Sequence, residues 1–347
     1  MKHTVKRGLG VACLLLAGPS LAADRPHYDP ASNEQVKQLI QEVSQDSDWQ
    51  PEQLNHLFSQ AERRDDIIKL ISKPAERVLT WAEYRRLFIT DARIKAGHEF
   101  MAQHRDALNR AHEQYGVDPT VITAIIGVET FYGRHKGRHR VIDALSTLSF
   151  DYPPRSAFFR KQLVAYLELV KQEGLNPLLP MGSYAGAMGF PQFIPTSYQA
   201  YAVDFNGDGF RDIWTNPVDA IGSVAHYFEA HGWKKDAPVA VDAVLEGDGT
   251  KLENLRKNRF DMQDYSQVAA AGMTAKSASL TADTRVLPMA LSLDDDQEQM
   301  MLGLHNFYVI TRYNHSRLYA MAVNELAKAL KASDQGASDQ EAARDQG

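Results

Sequence analysis

Asp118-Pro119-Thr120-Val121-Ile122-Thr123-Ala124-Ile125-Ile126-Gly127-Val128-Glu129-Thr130-Phe131-Tyr132-Gly133 is the stretch on which the fold of this chain turns. Asp118 before Pro119 has the form of an N-cap followed by a first-turn proline. The apolar run behind it predicts a buried helix over 121–130, closed by Gly133 as a C-cap glycine after two aromatic residues. Glu129 follows Ile126 and Ile125 by three and four residues, which sets a carboxylate on or beside the apolar stripe, with Ile122 one turn further back. Desolvation there favours the protonated form, as a general acid working near neutrality requires. The same residues also allow a carboxylate at the edge of the stripe, paired with Arg134 or reaching solvent.

Outward from this helix, residues 33–114 carry helical periodicity, with Val36, Leu39, Ile40 and Val43 and later Phe88, Ile89 and Ala92 at 3- and 4-residue steps. Pro51 and Pro74 mark helix starts or breaks. Between 174 and 214, glycine, proline and aromatic residues crowd together, predicting a shaped loop over a cleft. Tyr132, Tyr184, Phe190, Gln192, Phe193 and Tyr198 could stack on and hydrogen-bond a sugar, or could equally be packing residues. Residues 238–293 change to short alternating runs, read as a small β-rich insertion. Helix resumes over 318–330. The last stretch, 331–347, repeats Ala-Ser-Asp-Gln with few apolar groups and is expected to be disordered.

The 347 residues suit two or three structural units. Lys2, Lys6 and Arg7 ahead of the apolar run 9–17 and Ser20-Leu21-Ala22-Ala23 lay out a secretory signal peptide over 1–22. Cleavage there changes the net charge from −6 to −9, which argues against a nucleic-acid partner. The single cysteine, Cys13, lies inside the apolar run; lipid anchoring through it is disfavoured, because cleavage before it leaves almost no apolar stretch. No other long apolar segment follows, so the expectation is a periplasmic protein, soluble after export, with no transmembrane segment.

Gly127-Val128-Glu129-Thr130, the run 182–197, Asp219-Ala220-Ile221-Gly222-Ser223-Val224-Ala225 and Ile310-Thr311-Arg312-Tyr313-Asn314-His315-Ser316 together resemble the lytic murein transglycosylases of the B type, over residues 28–330. The resemblance implies a mainly α protein with a small β part (α+β). Its parts are a helical domain over 28–113 joined by the C-terminal helix 318–330, a lysozyme-like catalytic core over 114–235 and 300–317, and a small β domain inserted over 236–299. It implies an enzyme that cleaves the β-1,4 bond between N-acetylmuramic acid and N-acetylglucosamine of peptidoglycan without adding water, leaving 1,6-anhydromuramyl ends, for cell-wall remodelling and turnover. Glu129 matches the catalytic acid, which then serves as base. Ser183, Gln192, Tyr313 and Asn314 match saccharide-subsite positions, with Tyr184, Phe190, Tyr227 and Tyr319 as additions. Implied partners are peptidoglycan strands and candidate wall-synthesis proteins. The rival readings are a hydrolytic muramidase, which needs a second carboxylate, and a non-catalytic peptidoglycan-binding or scaffold protein.

Asp204, Asn206 and Asp208 with Gly209 follow the first six positions of an EF-hand loop; the Phe210 carbonyl and Asp212 fall at the seventh and ninth, and Thr215 replaces the usual twelfth carboxylate. The pattern reads either as a structural Ca2+ site or as an Asx-rich turn with the same backbone shape; no cofactor is required for the reaction. The basic run 134–140 reads either as a contact for peptide-stem carboxylates or as a solvated loop.

Overall fold

The structure, a computed structural model, describes residues 27–72, 79–247, 249–256, 260–295 and 297–344. The signal peptide, Cys13 and Pro74 lie outside the described residues.

The stretch quoted above forms the helix Pro119–Thr130. Asp118 caps it, its Oδ1 accepting the N–H of Thr120 at 2.8 Å and the Thr120 hydroxyl at 2.7 Å. Residues 120–128 and 130 are all buried. A helix apolar on every side requires neighbours on every side. They are the helices Asp91–Gln103, Arg105–Tyr115, Pro217–Ala230 and Arg317–Arg344. Its end departs from the expected glycine cap: Phe131 takes the left-handed conformation at φ 50°, followed by Tyr132 at 57° and Gly133 at 86°. Such backbone costs about 1 kcal/mol per non-glycine residue, and packing holds it there. The Tyr132 ring end fills a slot over Gly97 and Gly127, where an added Cβ would lie 2.5 and 2.7 Å from the phenol oxygen, and its hydroxyl donates to the Arg93 carbonyl at 3.0 Å. Arg134 lies 5.0 Å from the Phe131 ring centre.

The helices Val141–Phe150 and Ser156–Gln172 pack on each other, and the amino-terminal helices Glu34–Asp46, Pro51–Phe58 and Asp65–Ile71 wrap this pair. Trp49 Nε1 donates to the Leu167 carbonyl at 2.9 Å, and Tyr28 Oη to Asp151 at 2.5 Å. Trp81–Phe88 packs instead against the carboxy-terminal helix, and Asp91–Gln103 and Arg105–Tyr115 against the Glu129 helix. The segment expected as one helical unit is thus shared between two places, and a single apolar cluster runs from Tyr28 to Leu330. Helices as short as the 7-residue Asp65–Ile71 take their stability from docking a one-sided stripe on a larger core.

β1 (His139–Arg140) pairs antiparallel with β2 (Met181–Gly182) at the edge of the cleft loop. The insertion holds β3 (Ala240–Leu245), β4 (Gln263–Asp264), β5 (Met273–Ala275), β6 (Arg285–Ser292) and β7 (Glu298–Gly303), in the antiparallel order β4-β6-β7-β3-β5. Along β6, Leu287, Met289 and Leu291 join the main core, while Val286 on the opposite face joins a satellite cluster with Leu252, Val268, Met273 and Leu302. The period-2 alternation therefore buries both faces of the strand. The carboxy-terminal helix continues to Arg344, where a disordered tail was expected from residue 331. Alanine, glutamine and glutamate in that stretch are adequate helix formers once the helix is nucleated by packed residues before it.

Asp143, 1% exposed, locks the amino-terminal helices to the core: it accepts Arg140 Nε and Nη2 at 2.7 and 2.9 Å and the Glu62 N–H at 2.9 Å. Asp143→Ala strands Arg140 Nε and the Glu62 N–H, leaving Arg140 Nη2 its bond to the Gln60 carbonyl, and is expected to cost about 3 kcal/mol in urea unfolding. Asp294→Ala, which breaks the exposed pair with Arg86, is expected to leave the urea midpoint unchanged in the same assay, because solvent screens that pair.

Candidate active site

Glu129 occupies the last turn of its helix, where the residue keeps partial exposure while protein atoms enclose the carboxyl group. Burial pushes its pKa up to about 7, against the smaller opposing effect of Tyr319, whose Oη donates to Oε1 at 2.7 Å. Tyr319, 3% exposed, projects from the carboxy-terminal helix. Its ring stacks on Tyr313 with centroids 6.5 Å apart and planes 10° from parallel. Tyr313 closes the helix His305–Tyr313 and donates its hydroxyl to the Pro191 carbonyl at 2.6 Å, tying that helix to the glycine-aromatic loop. Tyr227 supports it from behind, edge-on at 4.7 Å, with its own hydroxyl on the Arg312 carbonyl at 2.6 Å. Burial raises the pKa of Tyr84, and the negative charge of Glu129 raises it further. Nothing in the local pattern around Tyr84 marks that proximity.

The loop is pinned to the end of the Glu129 helix by the next residue along. Thr130 Oγ1 reaches the Phe190 carbonyl at 3.2 Å and accepts the Gly133 N–H at 3.0 Å. The Phe190 ring sits on Gly133, where an added Cβ would be 2.1 Å from a ring carbon, and the Phe190 N–H donates to the Ile213 carbonyl at 2.9 Å. Gln192, at φ 51°, turns its side-chain amide donor to the Gly189 and Lys136 carbonyls at 2.9 and 3.3 Å. Ser183 Oγ accepts the N–H groups of Ala185 and Ala187 at 3.2 and 3.1 Å, so it shapes the turn as well as lining it.

The sequence-expected residues therefore divide by position. Glu129, Tyr319 and Tyr313 form one connected group; Gln192 and Ser183 lie on the loop held against it; Tyr184 and Asn314 are exposed at its rim. Phe190 and Tyr227 are buried supports. Phe193 and Tyr198 are core residues, and Tyr132 is the slot-filling ring described above, so none of these three offers a sugar-stacking face.

The Asp204 loop folds as a tight Asx array. Asp204 Oδ1 accepts the N–H groups of Gly207 and Asp208 at 2.7 and 3.1 Å, Oδ2 accepts Gly209 N–H at 2.7 Å, and Asp208 Oδ1 accepts Phe210 N–H at 2.9 Å. Asp212 caps Trp214 and Thr215 through Oδ1, and its Oδ2 is met by the Thr215 hydroxyl. The fully buried Asp219 holds the whole loop, accepting Phe205 and Asn206 N–H at 2.8 and 3.1 Å and Asp212 N–H at 2.9 Å. The donor set is two carboxylates, one amide oxygen and one main-chain carbonyl, which fits a hard oxygen-seeking cation but is short of the twelfth-position acid.

The pattern of the transglycosylase SLT domain matches residues 31–328. The chain belongs to the lytic transglycosylases of the B type. It is 44% identical over 312 residues to the membrane-bound lytic murein transglycosylase B of Escherichia coli K12, covering 87% of this chain and 84% of that protein. Its fold matches the soluble lytic transglycosylase SltB1 from Pseudomonas aeruginosa, with a TM-score of 0.83 and 46% identity, over 87% of this chain and 99% of that one. It also matches the Escherichia coli lytic transglycosylase Slt35 in complex with calcium, with a TM-score of 0.81 and 41% identity, over 92% and 99% of the two chains. Among the described residues no helix is long and apolar enough to cross a membrane.

For this transglycosylase the Tyr319 contact has a readable consequence. The hydroxyl favours the charged carboxylate, so Tyr319→Phe raises the Glu129 pKa above its value near 7. Activity that depends on the protonated acid falls as pH rises through that pKa. The falling limb of the pH–rate profile is expected to move up by roughly half a unit to one unit, measured as kcat/KM between pH 5 and 9.

Proposed function

We propose that this enzyme cleaves the β-1,4 MurNAc–GlcNAc bond of peptidoglycan strands by an intramolecular route in which Glu129 is both acid and base. The observation that carries the reading is a carboxyl group held near pKa 7 by burial, with one hydroxyl donated to it. Tyr319 engages Oε1, so Oε2 carries the proton. That proton passes to the glycosidic oxygen as the C1–O bond breaks, and positive charge develops on the muramyl ring. The carboxylate then takes the proton of the C6 hydroxyl as O6 bonds to C1, closing the 1,6-anhydro ring and restoring the acid. Burial is the larger influence on the Glu129 carboxyl and the Tyr319 hydroxyl opposes it, which suits a group that gives up a proton and takes one back. Ser183, Gln192, Tyr184, Tyr313 and Asn314 line the path of the strand, while Tyr227, Phe190 and Tyr319 fix the cleft walls. The signal-peptide pattern supports export to the periplasm, where the polymer and the wall-synthesis proteins proposed as partners are found.

Mass spectrometry of muropeptides released from purified peptidoglycan tests this directly. Wild type is expected to yield anhydromuramyl ends, and Glu129→Gln is expected to lower their release by at least about a thousandfold, since the acid supplies both proton transfers. Reducing ends in place of anhydro ends overturn the non-hydrolytic route.

Asp204, Asn206, Asp208 and the Phe210 carbonyl are proposed to hold Ca2+, with Asp212 nearby, in a structural role that stiffens the turn leading to Trp214 and the Asp219 helix. Millimolar CaCl2 is expected to raise the melting temperature of wild type by a few degrees through ligand linkage and to leave that of Asp208→Ala unchanged, measured by calorimetry.

A further inference from the structure

A cavity of about 410 Å3 is bounded by the segment 175–181, by the turn 210–215 and by Lys136 and Gly137. Its walls are apolar, with Leu175, Leu179, Pro180, Met181 and Phe210. Leu179 and Met181 are also among the most exposed large apolar side chains of the described residues, at 69% and 41%. An apolar hollow with an apolar exposed rim marks a binding surface rather than a packing fault.

The polar groups of this cavity are unequally matched. Asp212, the acid in its lining, is satisfied by its own turn through Trp214 and Thr215. Asn176 Oδ1 accepts the Leu178 N–H at 3.0 Å, which commits the acceptor and leaves the amide donor. Trp214 lines the cavity with an indole N–H that is buried without a hydrogen-bond partner. Lys136 brings an ammonium 4.4 Å from the Phe190 ring centre, within electrostatic reach of the Asp212 carboxylate. The cavity thus holds two uncommitted N–H donors, on Asn176 and Trp214, and one cation that shares it with the Asp212 carboxylate. Arg140, in the same basic run, is paired with Asp143, and Arg134 lies over Phe131.

The position relative to the cleft narrows the ligand further. One layer of backbone separates the two: β1 with the Gly137 turn packs on β2 so closely that a Cβ at Gly137 would lie 2.0 Å from the Gly182 carbonyl. Gln192 of the cleft hydrogen-bonds the Lys136 carbonyl from the other side. Lys136, which lines the cavity, therefore also contacts Gln192 and Phe190 of the cleft loop.

We propose that this cavity receives the carboxylate-bearing peptide stem of the glycan strand, with Lys136 meeting the carboxylate and the apolar walls taking its small aliphatic side chains. The proposal rests on the peptidoglycan reading of the cleft and adds a specificity determinant to it.

The test compares kcat/KM on peptide-bearing strands with kcat/KM on the same strands stripped of stems by an amidase, for wild type, Lys136→Met, Lys136→Arg and Leu179→Glu. In Lys136→Met and Leu179→Glu the ratio of the two values is expected to fall roughly tenfold through KM, the size of one charge-assisted hydrogen bond, and Lys136→Arg is expected to hold it within about threefold. An unchanged ratio, or an equal loss on both substrates, overturns the proposal. Binding is read separately by titrating the protein with free stem pentapeptide and following the Trp214 indole N–H resonance, assigned with Trp214→Phe. A saturable shift in wild type that Lys136→Met abolishes supports the site, and no shift at millimolar peptide overturns it. A wild type that binds the peptide yet cleaves neither polymer defeats the functional reading of the cleft and leaves the peptide site standing.

Discussion

Enclosing a carboxyl group in apolar surroundings is the constraint from which the rest of this molecule follows. Desolvation disfavours the carboxylate, and the single hydroxyl from Tyr319 offsets only part of that penalty. A group poised near neutrality can give a proton and take one back with little driving force lost in either direction. Keeping it so demands a helix buried on all sides. That demand in turn calls for the ring of helices from both ends of the chain that surrounds Pro119–Thr130.

The cleft is rigid for the same reason that the acid is buried. Thr130, adjacent to Glu129, ties the loop to the helix end; Phe190 seats on Gly133; Tyr313 fastens the opposite wall through the Pro191 carbonyl. Left-handed backbone at Phe131, Tyr132 and Gln192 collects at this junction. Strain of this kind persists where packing over-determines it, and here the over-determination comes from aromatic rings filling slots cut by glycine. The cavity lined by Lys136 shares this framework, since Lys136 touches Phe190 on one side and, through its carbonyl, Gln192 on the other. The proposed glycan path and the proposed peptide cavity thus share the two-strand ladder as a common wall.

The Asp204 turn shows how a metal-like sequence pattern and a hydrogen-bonded turn share one geometry. Carboxylates at alternate positions satisfy successive main-chain N–H groups, and the buried Asp219, fifteen residues after Asp204 in the chain, gathers three more. The loop is shaped from within, so a cation would stiffen an arrangement that the side chains have already made.

The sequence by itself determined the local features. An N-cap, a first-turn proline and an unbroken apolar run specify a buried helix wherever they occur, and Glu129 within that run reads as a perturbed acid. Period-2 runs specified the β insertion, and the crowding of glycine with aromatics specified the loop. Only the tertiary structure decided which groups meet. Tyr319 lies 190 residues from Glu129, and no spacing rule connects them. The aromatics of the loop look alike in sequence, yet Tyr184 is at the rim while Phe190 and Phe193 are buried, because that depends on where Gly133 and Tyr313 come to rest. The left-handed end of the Glu129 helix likewise depends on a slot provided by Gly97 on another helix. Periodicity reports what a segment will bury, whereas its partner is chosen by the packing of distant segments against one another.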